Sequence, residues 1–273
     1  MKFKTLLTTK LLESKLSAEE INLLPSSYQT LGNICVIKLP KELRKHNDLI
    51  GKKILENFWQ FKSVYAIERV TGEFRQPRIE LIAGIAQKEI IVRENNCLFY
   101  LNPEIIMYSQ GNHQEKKRMM QLVGDKPQLI VDMFAGIGYF TAPIAKQNPN
   151  CSIVAIEKNP EAFAYLEKNI RANYLQNITP LLGDCKKVLQ NKNISKADRI
   201  LMGLIPSCKK FIPSAMKLAR KGTVLHYHGL AKEGKEYILL NDFGDYKVKL
   251  LNTNIVKSYK PHVNHVVLDL EVL

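Results

Sequence analysis

The second half of the chain alternates short apolar runs with longer helical stretches, and this alternation restricts the folds that it can adopt. The runs LIVDMF, SIVAIEK and ITPLLGD have the length and composition of β-strands, whereas GYFTAPIAKQN and PEAFAYLEKNIRANYL between them are typical of helices. The second helical stretch begins with Pro160, a residue favoured in the first turn of a helix. Strands that alternate with helices predict a parallel sheet with helices on both faces.

The flanking segments extend this pattern in both directions. Further along the chain we expect a strand at ADRILMGLI, a helix over Lys209–Arg220 and a strand at Thr223–His228. The tail, YKVKLLNTNIVKSY followed by HVNHVVLDLEVL, predicts an antiparallel hairpin at the sheet edge. Upstream, the runs NICVIKL, SVYAIERV, RIELIAG, EIIVREN and CLFYL, with one helix near Leu49–Phe61, predict a small mixed α/β unit. The sequence therefore predicts two domains, residues 1–108 and residues 109–273.

The chain carries a large excess of basic side chains. It has 40 Lys and Arg against 26 Asp and Glu, a formal net charge of +14. This balance favours a polyanionic partner such as a nucleic acid. Composition leaves one alternative open, a lysine-rich proteome in which basic faces have no function.

Cysteine spacing and hydropathy exclude several other classes. The five cysteines are scattered without a CxxC pair, so we expect neither a zinc site nor a disulfide framework. No apolar run reaches the roughly 18 residues that a membrane-spanning helix needs. We therefore expect a cytoplasmic protein without a metal and without a membrane partner.

The segment VDMFAGIGYF lies where a predicted strand turns into a helix. It places Gly136 and Gly138 just after Asp132, where glycines let the backbone approach a ligand closely. The next strand ends in Glu157, about 20 residues later, where a carboxylate can accept both hydroxyls of a ribose. A third glycine is missing and the bulky Phe140 follows, which argues against a dinucleotide. An adenosine that carries a thioether or a sulfonium fits better.

A second acidic residue, Asp184, follows the next predicted strand. It can accept a hydrogen bond from the amino group of adenine, or it can simply cap the helix that follows. Asp184 supports a ligand site because of the order of the motifs: the glycine loop, Glu157 and Asp184 end three successive strands. The carboxyl ends of parallel strands meet at one edge of a sheet, so we expect these residues to share one site.

These motifs together resemble a known family. DMFAGIGYFT, AIEKNPEAFAYLEKNIRAN and the following GD resemble the class I methyltransferase domain of the family that contains tRNA guanine-37 N1-methyltransferases and wybutosine-synthesis aminocarboxypropyltransferases. The resemblance extends to TGEFRQPRIELIAG, residues 71–84, and to MYSQGNHQEKKRM, residues 107–119. It implies a Rossmann-like class I methyltransferase domain, a small N-terminal α/β domain, S-adenosyl-L-methionine as group donor and tRNA as substrate.

The end of the fourth strand separates the branches of this family. The N1-methyltransferases carry an Asn-Pro-Pro type turn there, whereas this chain has DRILMGLIP. By resemblance this points to the aminocarboxypropyltransferase branch, which transfers the 3-amino-3-carboxypropyl group to C7 of 4-demethylwyosine at position 37, in the anticodon loop of phenylalanine tRNA. Two alternatives stay open: a tRNA guanine-37 N1-methyltransferase, and a non-catalytic RNA-binding protein of the same fold.

The resemblance also implies roles for individual residues. Ser109 and Lys116 are expected to contact the cofactor, although Lys116 could also be a solvated helix charge. Glu157 is expected at the ribose, and Asp184 with Cys185 at the adenine. Cys185 stands where relatives often have Asn. The stretch LIPSC, which follows the MG turn, also differs from the residues that many relatives have at that place. Asp132, Gly136 and Gly138 complete the expected cofactor site.

The substrate side is less defined by sequence. Three arginines near the turn at Gly72 and three basic residues on one predicted helix are candidate phosphate contacts; they are Arg69, Arg75, Arg78, Lys116, Lys117 and Arg118. His226 and His228 are candidates for the base pocket, but strand histidines often have only structural partners. The sequence indicates no catalytic base.

Overall fold

The computed structural model describes residues 3–11, 16–108 and 110–273. The chain divides into two compact units. The first unit runs to Arg93 and includes Phe99–Gln110, and the second comprises Glu94–Leu98 and Gly111–Leu273. The boundary between residues 108 and 109 stays a prediction, because it falls at Ser109, which lies outside the described residues.

The first unit is built on a four-stranded sheet in the order β1-β2-β3-β4. Strands β2 and β3 are parallel and the other two pairs are antiparallel. Ile50 and Ile54 of the crossover helix are fully buried and belong to the same core as Val64 of β3. The elements in this part of the chain are α1 (Phe3–Leu11), α2 (Ala18–Asn22), β1 (Gln29–Leu31), β2 (Ile34–Lys38), a 3₁₀ helix (Lys41–His46), α3 (Asn47–Asn57), β3 (Ser63–Thr71), β4 (Gln76–Gly84) and the hairpin of β5 (Ile90–Glu94) and β6 (Cys97–Leu101).

The second unit is built on a seven-stranded sheet in the order β12-β13-β11-β10-β7-β8-β9. Five consecutive strands, from β11 to β9, are parallel, and β13 runs antiparallel to both of its neighbours. Its elements are a 3₁₀ turn (Gln110–Asn112), α4 (His113–Val123), β7 (Leu129–Asp132), α5 (Thr141–Gln147), β8 (Ser152–Glu157), α6 (Pro160–Ala172), β9 (Ile178–Leu182), α7 (Cys185–Asn191), β10 (Arg199–Met202), 3₁₀ helices at Lys209–Phe211 and Glu236–Phe243, α8 (Ile212–Leu218), β11 (Val224–Lys232), β12 (Val248–Lys260) and β13 (Val263–Val272).

Helix α6 illustrates how local sequence sets these elements. The Asn159 side chain accepts a hydrogen bond from the Glu161 amide at 3.1 Å and so caps the helix, and Pro160 occupies the first turn. Ala162, Leu166 and Asn169 are buried on one face of the helix. The helix therefore begins where its sequence predicts and packs through its apolar stripe.

The strand order creates a crevice beside β7. From β7 the chain moves outward through β8 to β9, then returns to β10 on the other side of β7. In open α/β sheets, ligands bind at the carboxyl ends of the strands where the order reverses in this way. The ends of β7 and β10 are thus the expected place for a ligand.

The predicted fold class is confirmed: an α/β protein with the mixed seven-stranded sheet of class I methyltransferases and a small N-terminal α/β domain. The C-terminal hairpin also lies at the sheet edge as expected. The helix expected over Lys209–Arg220 is shorter, because its first residues form the 3₁₀ turn that precedes Pro213. No helix within the described residues combines the length and the apolar character needed to cross a membrane.

We predict that the core around β11 carries much of the stability of the second unit. Leu225 is fully buried between β10 and β13, so Leu225→Ala should lower the free energy of unfolding by about 2–5 kcal/mol. Leu251→Ala, on the edge strand β12 where the side chain is 48% exposed, is the matched control and should change it by less than about 0.5 kcal/mol. Urea unfolding followed by circular dichroism measures both, and equal effects would contradict this account of the core.

Candidate functional site

The loop between β7 and α5 has a backbone that requires glycine. Gly136 has a φ of +58° and Gly138 a φ of +98°, both in the left-handed region. A Cβ atom at Gly136 would lie 2.6 Å from the ring of Tyr139, so this ring packs directly on the glycine. The Ala135 amide donates to the Ile156 carbonyl at 2.9 Å, which ties the loop to β8. The glycine loop is therefore a fixed structure at the carboxyl end of β7.

Glu157 connects this loop to the end of β8. Its Oε2 accepts a hydrogen bond from the Gly136 amide and its Oε1 one from the Asn159 amide, both at 2.7 Å. Burial raises the pKa of the carboxyl group, and the hydrogen bonds from backbone amides oppose that rise. The carboxylate lies at the strand end where ribose hydroxyls are expected.

Asp132 has a different set of partners. It is buried and accepts hydrogen bonds from the Thr141 hydroxyl at 2.8 Å and from the Phe134 amide at 3.2 Å. Burial raises the pKa of this carboxyl group to about 6, against the effect of both hydrogen bonds, and the nearby Glu157 adds a smaller rise. In this structure Asp132 joins the glycine loop to the start of α5, and its contact with the cofactor stays a prediction.

Asp184 and Cys185 lie at the start of α7. Asp184 caps this helix by accepting from the Lys186 amide at 2.9 Å, and the Lys158 ammonium lies 3.4 Å from its other oxygen. Cys185 is 3% exposed and its thiol packs in the core, where burial raises its pKa to about 12. The capping role expected as an alternative for Asp184 is present, and contact of either residue with adenine stays a prediction.

Lys116 is buried rather than solvated. Its side chain is 2% exposed, and its ammonium lies 2.6 Å from Glu94 Oε2 and 5.5 Å from the centroid of the Tyr139 ring. Burial lowers the pKa of the ammonium, whereas Glu94 acts in the opposite direction. The alternative of a solvated helix charge is therefore wrong, and Lys116 lies beside the glycine loop. Glu94 has no motif around it, and the sequence did not indicate it.

The predicted phosphate-binding cluster on α4 is wrong for two of its three members. Lys116 is neutralised by Glu94, and Arg118 forms ion pairs with Glu115 at 2.7 Å and with Asp269 at 2.5 Å. Both carboxylates that hold Arg118 are themselves buried. Lys116 and Arg118 are 2% and 19% exposed, so neither charge lies on an open surface that a phosphate backbone would meet. This leaves Lys117, whose side chain is exposed.

His226 belongs to the same buried network. Its Nδ1 lies 2.7 Å from Asp269 Oδ1, and its Nε2 lies 3.1 Å from the Arg199 guanidinium. Arginine can only donate, so Nε2 accepts and the ring proton is on Nδ1. Burial lowers the pKa of this imidazole, although Asp269 opposes that effect. His226 is thus a neutral ring with both nitrogens occupied, and its contact with substrate stays a prediction.

His228 is paired with a second histidine. Its Nδ1 lies 2.9 Å from Nε2 of His265, so one ring donates and the other accepts. Burial lowers the pKa of His228 well below its ordinary value, and His265 adds to this effect. The edge of the Phe140 ring packs on His228 with centroids 5.6 Å apart. His228 therefore lies close to the last residue of the glycine loop.

The segment that follows β10 is held by its own side chains. The Cys208 thiol lies 2.8 Å from the Met202 carbonyl and accepts from the Leu204 amide at 3.3 Å. Ser207 forms a β-bridge with Gly229 of β11. This segment, residues 203–208, stands at the crevice where the strand order reverses.

The remaining predicted residues lie in the first unit or outside the described part of the chain. Arg75 has a φ of +53° in the turn between β3 and β4, and its Nη2 lies 3.5 Å from Met107 Sδ. Arg69 and Arg78 are exposed cross-strand partners in the same hairpin. Ser109 lies outside the described residues.

Comparison with known proteins assigns the family. A model described as the TRM5/TYW2 methyltransferase domain matches residues 90–244, and one described as the TYW2 N-terminal domain matches residues 8–87. The chain belongs to the TRM5/TYW2 methyltransferase family. The family resemblance inferred from the motifs is thereby confirmed.

Individual relatives come from both branches of the family. A tRNA(Phe) (4-demethylwyosine(37)-C(7)) aminocarboxypropyltransferase of Methanocaldococcus jannaschii is 36% identical over 249 residues, which cover 89% of this chain and 96% of the relative. The tRNA (guanine(37)-N(1))-methyltransferase Trm5b of Pyrococcus abyssi is 33% identical over 258 residues, 91% of this chain and 76% of the relative. The crystal structure of P. horikoshii TYW2 in complex with MeSAdo superposes with a TM-score of 0.81 at 31% identity and covers 99% of both chains.

Family membership confirms the broader functional predictions. The chain is an S-adenosylmethionine-dependent, tRNA-modifying transferase of the TRM5/TYW2 family. Relatives in both branches are named for position 37 of tRNA.

We predict that His226 and His228 are both less protonated at pH 5.5 than a free imidazole is. Their pKa values are lowered by burial, whereas an imidazole with the ordinary pKa of about 6.5 is mostly charged at that pH. The imidazole ¹⁵N chemical shifts of the folded protein measure this for each ring, and doubly protonated shifts at pH 5.5 for either ring would contradict it.

The lowered pKa values of His226 and His228 also imply that the folded protein loses stability in acid. Below about pH 6.5 the unfolded chain binds protons that the folded rings do not bind, so the free energy of unfolding falls as the pH is lowered. At pH 5.5 the loss is at most about 1.4 kcal/mol for each ring. The raised pKa of Asp132 acts in the opposite direction, and for this reason the ring-specific shifts are the deciding measurement.

Proposed function

We propose that this protein transfers the 3-amino-3-carboxypropyl group of S-adenosylmethionine to C7 of 4-demethylwyosine at position 37 of phenylalanine tRNA. The observation that carries the proposal is the match of residues 8–87 to the TYW2 N-terminal domain. The relatives named as aminocarboxypropyltransferases include one that is 36% identical to this chain. The substrate base and the tRNA are taken from the names of those relatives.

The cofactor fits the carboxyl ends of β7, β8 and β9. The left-handed glycines at positions 136 and 138 set the path of the loop backbone, and Glu157 accepts ribose hydroxyls while it keeps its bonds to the loop. Asp184 and the adjacent Cys185 contact the adenine. Asp132 stabilises the glycine loop through its hydrogen bonds. Lys116 and Ser109 bind the amino-acid end of the cofactor. Buried side-chain atoms of Asn95 and Asn112, which have no hydrogen-bond partner among the described residues, also suit a polar ligand.

S-adenosylmethionine supplies a sulfonium with three electrophilic carbons, of which one reacts when it is aligned with the acceptor atom. The residues around it decide which carbon that is. The segment after β10, Gly203 to Cys208, has no side-chain amide to hold a guanine edge. Phe140 lies close to both Gly203 and His228, which gives the end of β10 an aromatic surface. A tricyclic base can stack on such an aromatic surface, whereas binding a guanine by its edge would need hydrogen-bonding groups.

The tRNA is held by basic residues that carry little sequence information. Arg69 and Arg78 are directly opposite each other in the hairpin of β3 and β4, and Arg75 lies in its turn. Like charges in cross-strand positions are unfavourable unless an anion lies between them. We assign these arginines to contacts with phosphates of the anticodon stem and loop.

One alternative activity is supported by a specific observation. The Trm5b of P. abyssi, a tRNA (guanine(37)-N(1))-methyltransferase, is 33% identical to this chain, close to the value for the aminocarboxypropyltransferases. In that case the methyl group is transferred to N1 of an unmodified guanine. A non-catalytic RNA-binding role is disfavoured because the glycine loop and Glu157 keep the geometry of a cofactor site.

We predict that label follows the amino-acid arm into tRNA. The protein is incubated with tRNA that already bears 4-demethylwyosine and with S-adenosylmethionine labelled in the carboxyl carbon or, in parallel, in the methyl carbon. Carboxyl label should enter the tRNA and methyl label should not, because the proposed geometry presents the amino-acid arm to C7.

The control for this experiment is tRNA with an unmodified guanine-37, which should accept neither label. Methyl label on that guanine would overturn the branch assignment in favour of N1-methylation, without affecting the fold or the cofactor site. No transfer of either label to either tRNA would favour the non-catalytic alternative.

A further inference from the structure

Glu94 is held in a fixed position at the tip of the β5–β6 hairpin, in the second unit. The two turn residues, Asn95 and Asn96, have φ values of +49° and +59°, the pattern of a tight type I′ turn. Next to the turn, the Asn173 side chain accepts from the Leu98 amide and donates to its carbonyl, both at 2.8 Å. The backbone that carries Glu94 is thus set by the turn and by a side chain of the methyltransferase domain.

The carboxylate of Glu94 is part of a buried ion pair beside the glycine loop. It lies 2.6 Å from the Lys116 ammonium, and the two side chains are 9% and 2% exposed. Lys116 in turn lies over the ring of Tyr139, which packs on Gly136. Burying two charges costs more solvation than a simple pair usually returns, so stability alone is a poor reason for this pair. Its position next to the proposed cofactor site suggests a ligand.

Two unsatisfied amide atoms lie next to this pair in sequence. Within the part of the chain that the structure describes, Asn95 Nδ2 and Asn112 Oδ1 are buried and have no hydrogen-bond partner. Asn95 follows Glu94, and Asn112 precedes His113, whose Nδ1 lies 2.8 Å from Glu94 Oε1. Buried polar groups are nearly always satisfied, so such atoms indicate a missing partner. A free N–H donor suits a carboxylate, and a free amide oxygen suits an ammonium group.

We propose that Glu94 binds the α-ammonium group of S-adenosylmethionine while Lys116 binds the α-carboxylate. An amino-acid end is a zwitterion, and the Glu94–Lys116 pair offers one charge of each sign side by side. Both oxygens of Glu94 already have partners, but each carboxylate oxygen has a second lone-pair site for a further donor. Asn95 and Asn112 complete the two halves of this subsite.

The inference rests on the proposed place of the cofactor at the ends of β7 and β8, and it deepens the proposed function. An arm held at both charges cannot rotate freely about its bonds to sulfur. The carbon that bonds to sulfur is then fixed relative to the glycine loop, which is what transfer of this arm requires. Glu94 therefore acts as a specificity-determining residue through direct contact with the donor.

Binding of unreactive analogues tests this contact. Calorimetry compares S-adenosylhomocysteine with 5′-S-(3-carboxypropyl)-5′-thioadenosine, which lacks only the α-amino group. We expect the wild-type protein to prefer the amino compound by at least about tenfold, and Glu94→Gln to prefer it by about twofold or less. Glu233→Gln is the matched control, since that carboxylate is 71% exposed, and it should keep the full preference. Glu94→Asp should recover part of it.

A ligand without the arm separates contact from structure. The dissociation constant of 5′-methylthioadenosine should stay within about twofold in all four proteins, because this nucleoside does not reach Glu94. An undiminished preference in Glu94→Gln, or equal weakening of 5′-methylthioadenosine, would overturn the inference. These constants do not depend on which group is transferred, so transfer of methyl label would refute the proposed reaction and leave this result standing. Failure of 5′-methylthioadenosine to bind the wild-type protein would instead remove the proposed cofactor site, and this inference with it.

Discussion

The carboxylate of Glu157 organises the candidate site. It accepts one hydrogen bond from the glycine loop after β7 and another from the segment after β8. Two strand ends are therefore joined by one side chain, and the left-handed backbone at Gly136 is stabilised by an acceptor that the fold supplies. Hydrogen bonds to a charged acceptor are roughly twice as strong as neutral ones, which offsets part of the cost of burying the carboxylate. We propose that the ribose of the cofactor binds at this edge of the sheet.

Ion pairs in the second unit limit the positive charge that a strongly basic chain presents to anions at the candidate site. In this unit several positive charges are neutralised in pairs, as in Lys116 with Glu94 and Arg118 with Asp269. A chain with a net charge of +14 would otherwise attract any anion to this crevice. Paired charges leave room for a ligand that carries both signs. We infer that free basic charge is used elsewhere, on surfaces that meet phosphates.

Local patterns allowed the fold and the positions of several candidate residues at strand ends to be predicted. The glycine loop, Glu157 and Asp184 each follow an apolar run, so their place at strand ends is readable from a few neighbouring residues. Lys116 was singled out by resemblance to the family, and its contact with the cofactor stays a prediction. Its partner Glu94 was not singled out, because Glu94 is 22 residues earlier, on a hairpin whose position depends on tertiary packing.

Long-range pairing also explains the errors. From the sequence alone, Arg118 was predicted to be a surface charge. Its carboxylate partner Asp269 is 151 residues away in the chain, on the last strand. His226 meets the same carboxylate from the neighbouring strand β11, so it forms part of that network. A sequence shows which residues can ionise, whereas only the register of β11 and β13 shows which of them share a partner.

We propose that the Glu157 carboxylate holds both the glycine loop and the cofactor, and calorimetric titration of S-adenosylmethionine into Glu157→Gln tests this. A glutamine cannot accept from two amides and two ribose hydroxyls with the strength of a carboxylate, and each charge-assisted bond contributes about 1.5–3 kcal/mol. We expect the dissociation constant to rise at least about tenfold, whereas Glu161→Gln, an exposed neighbour on α6, should leave it unchanged. An unchanged dissociation constant in Glu157→Gln would contradict the account.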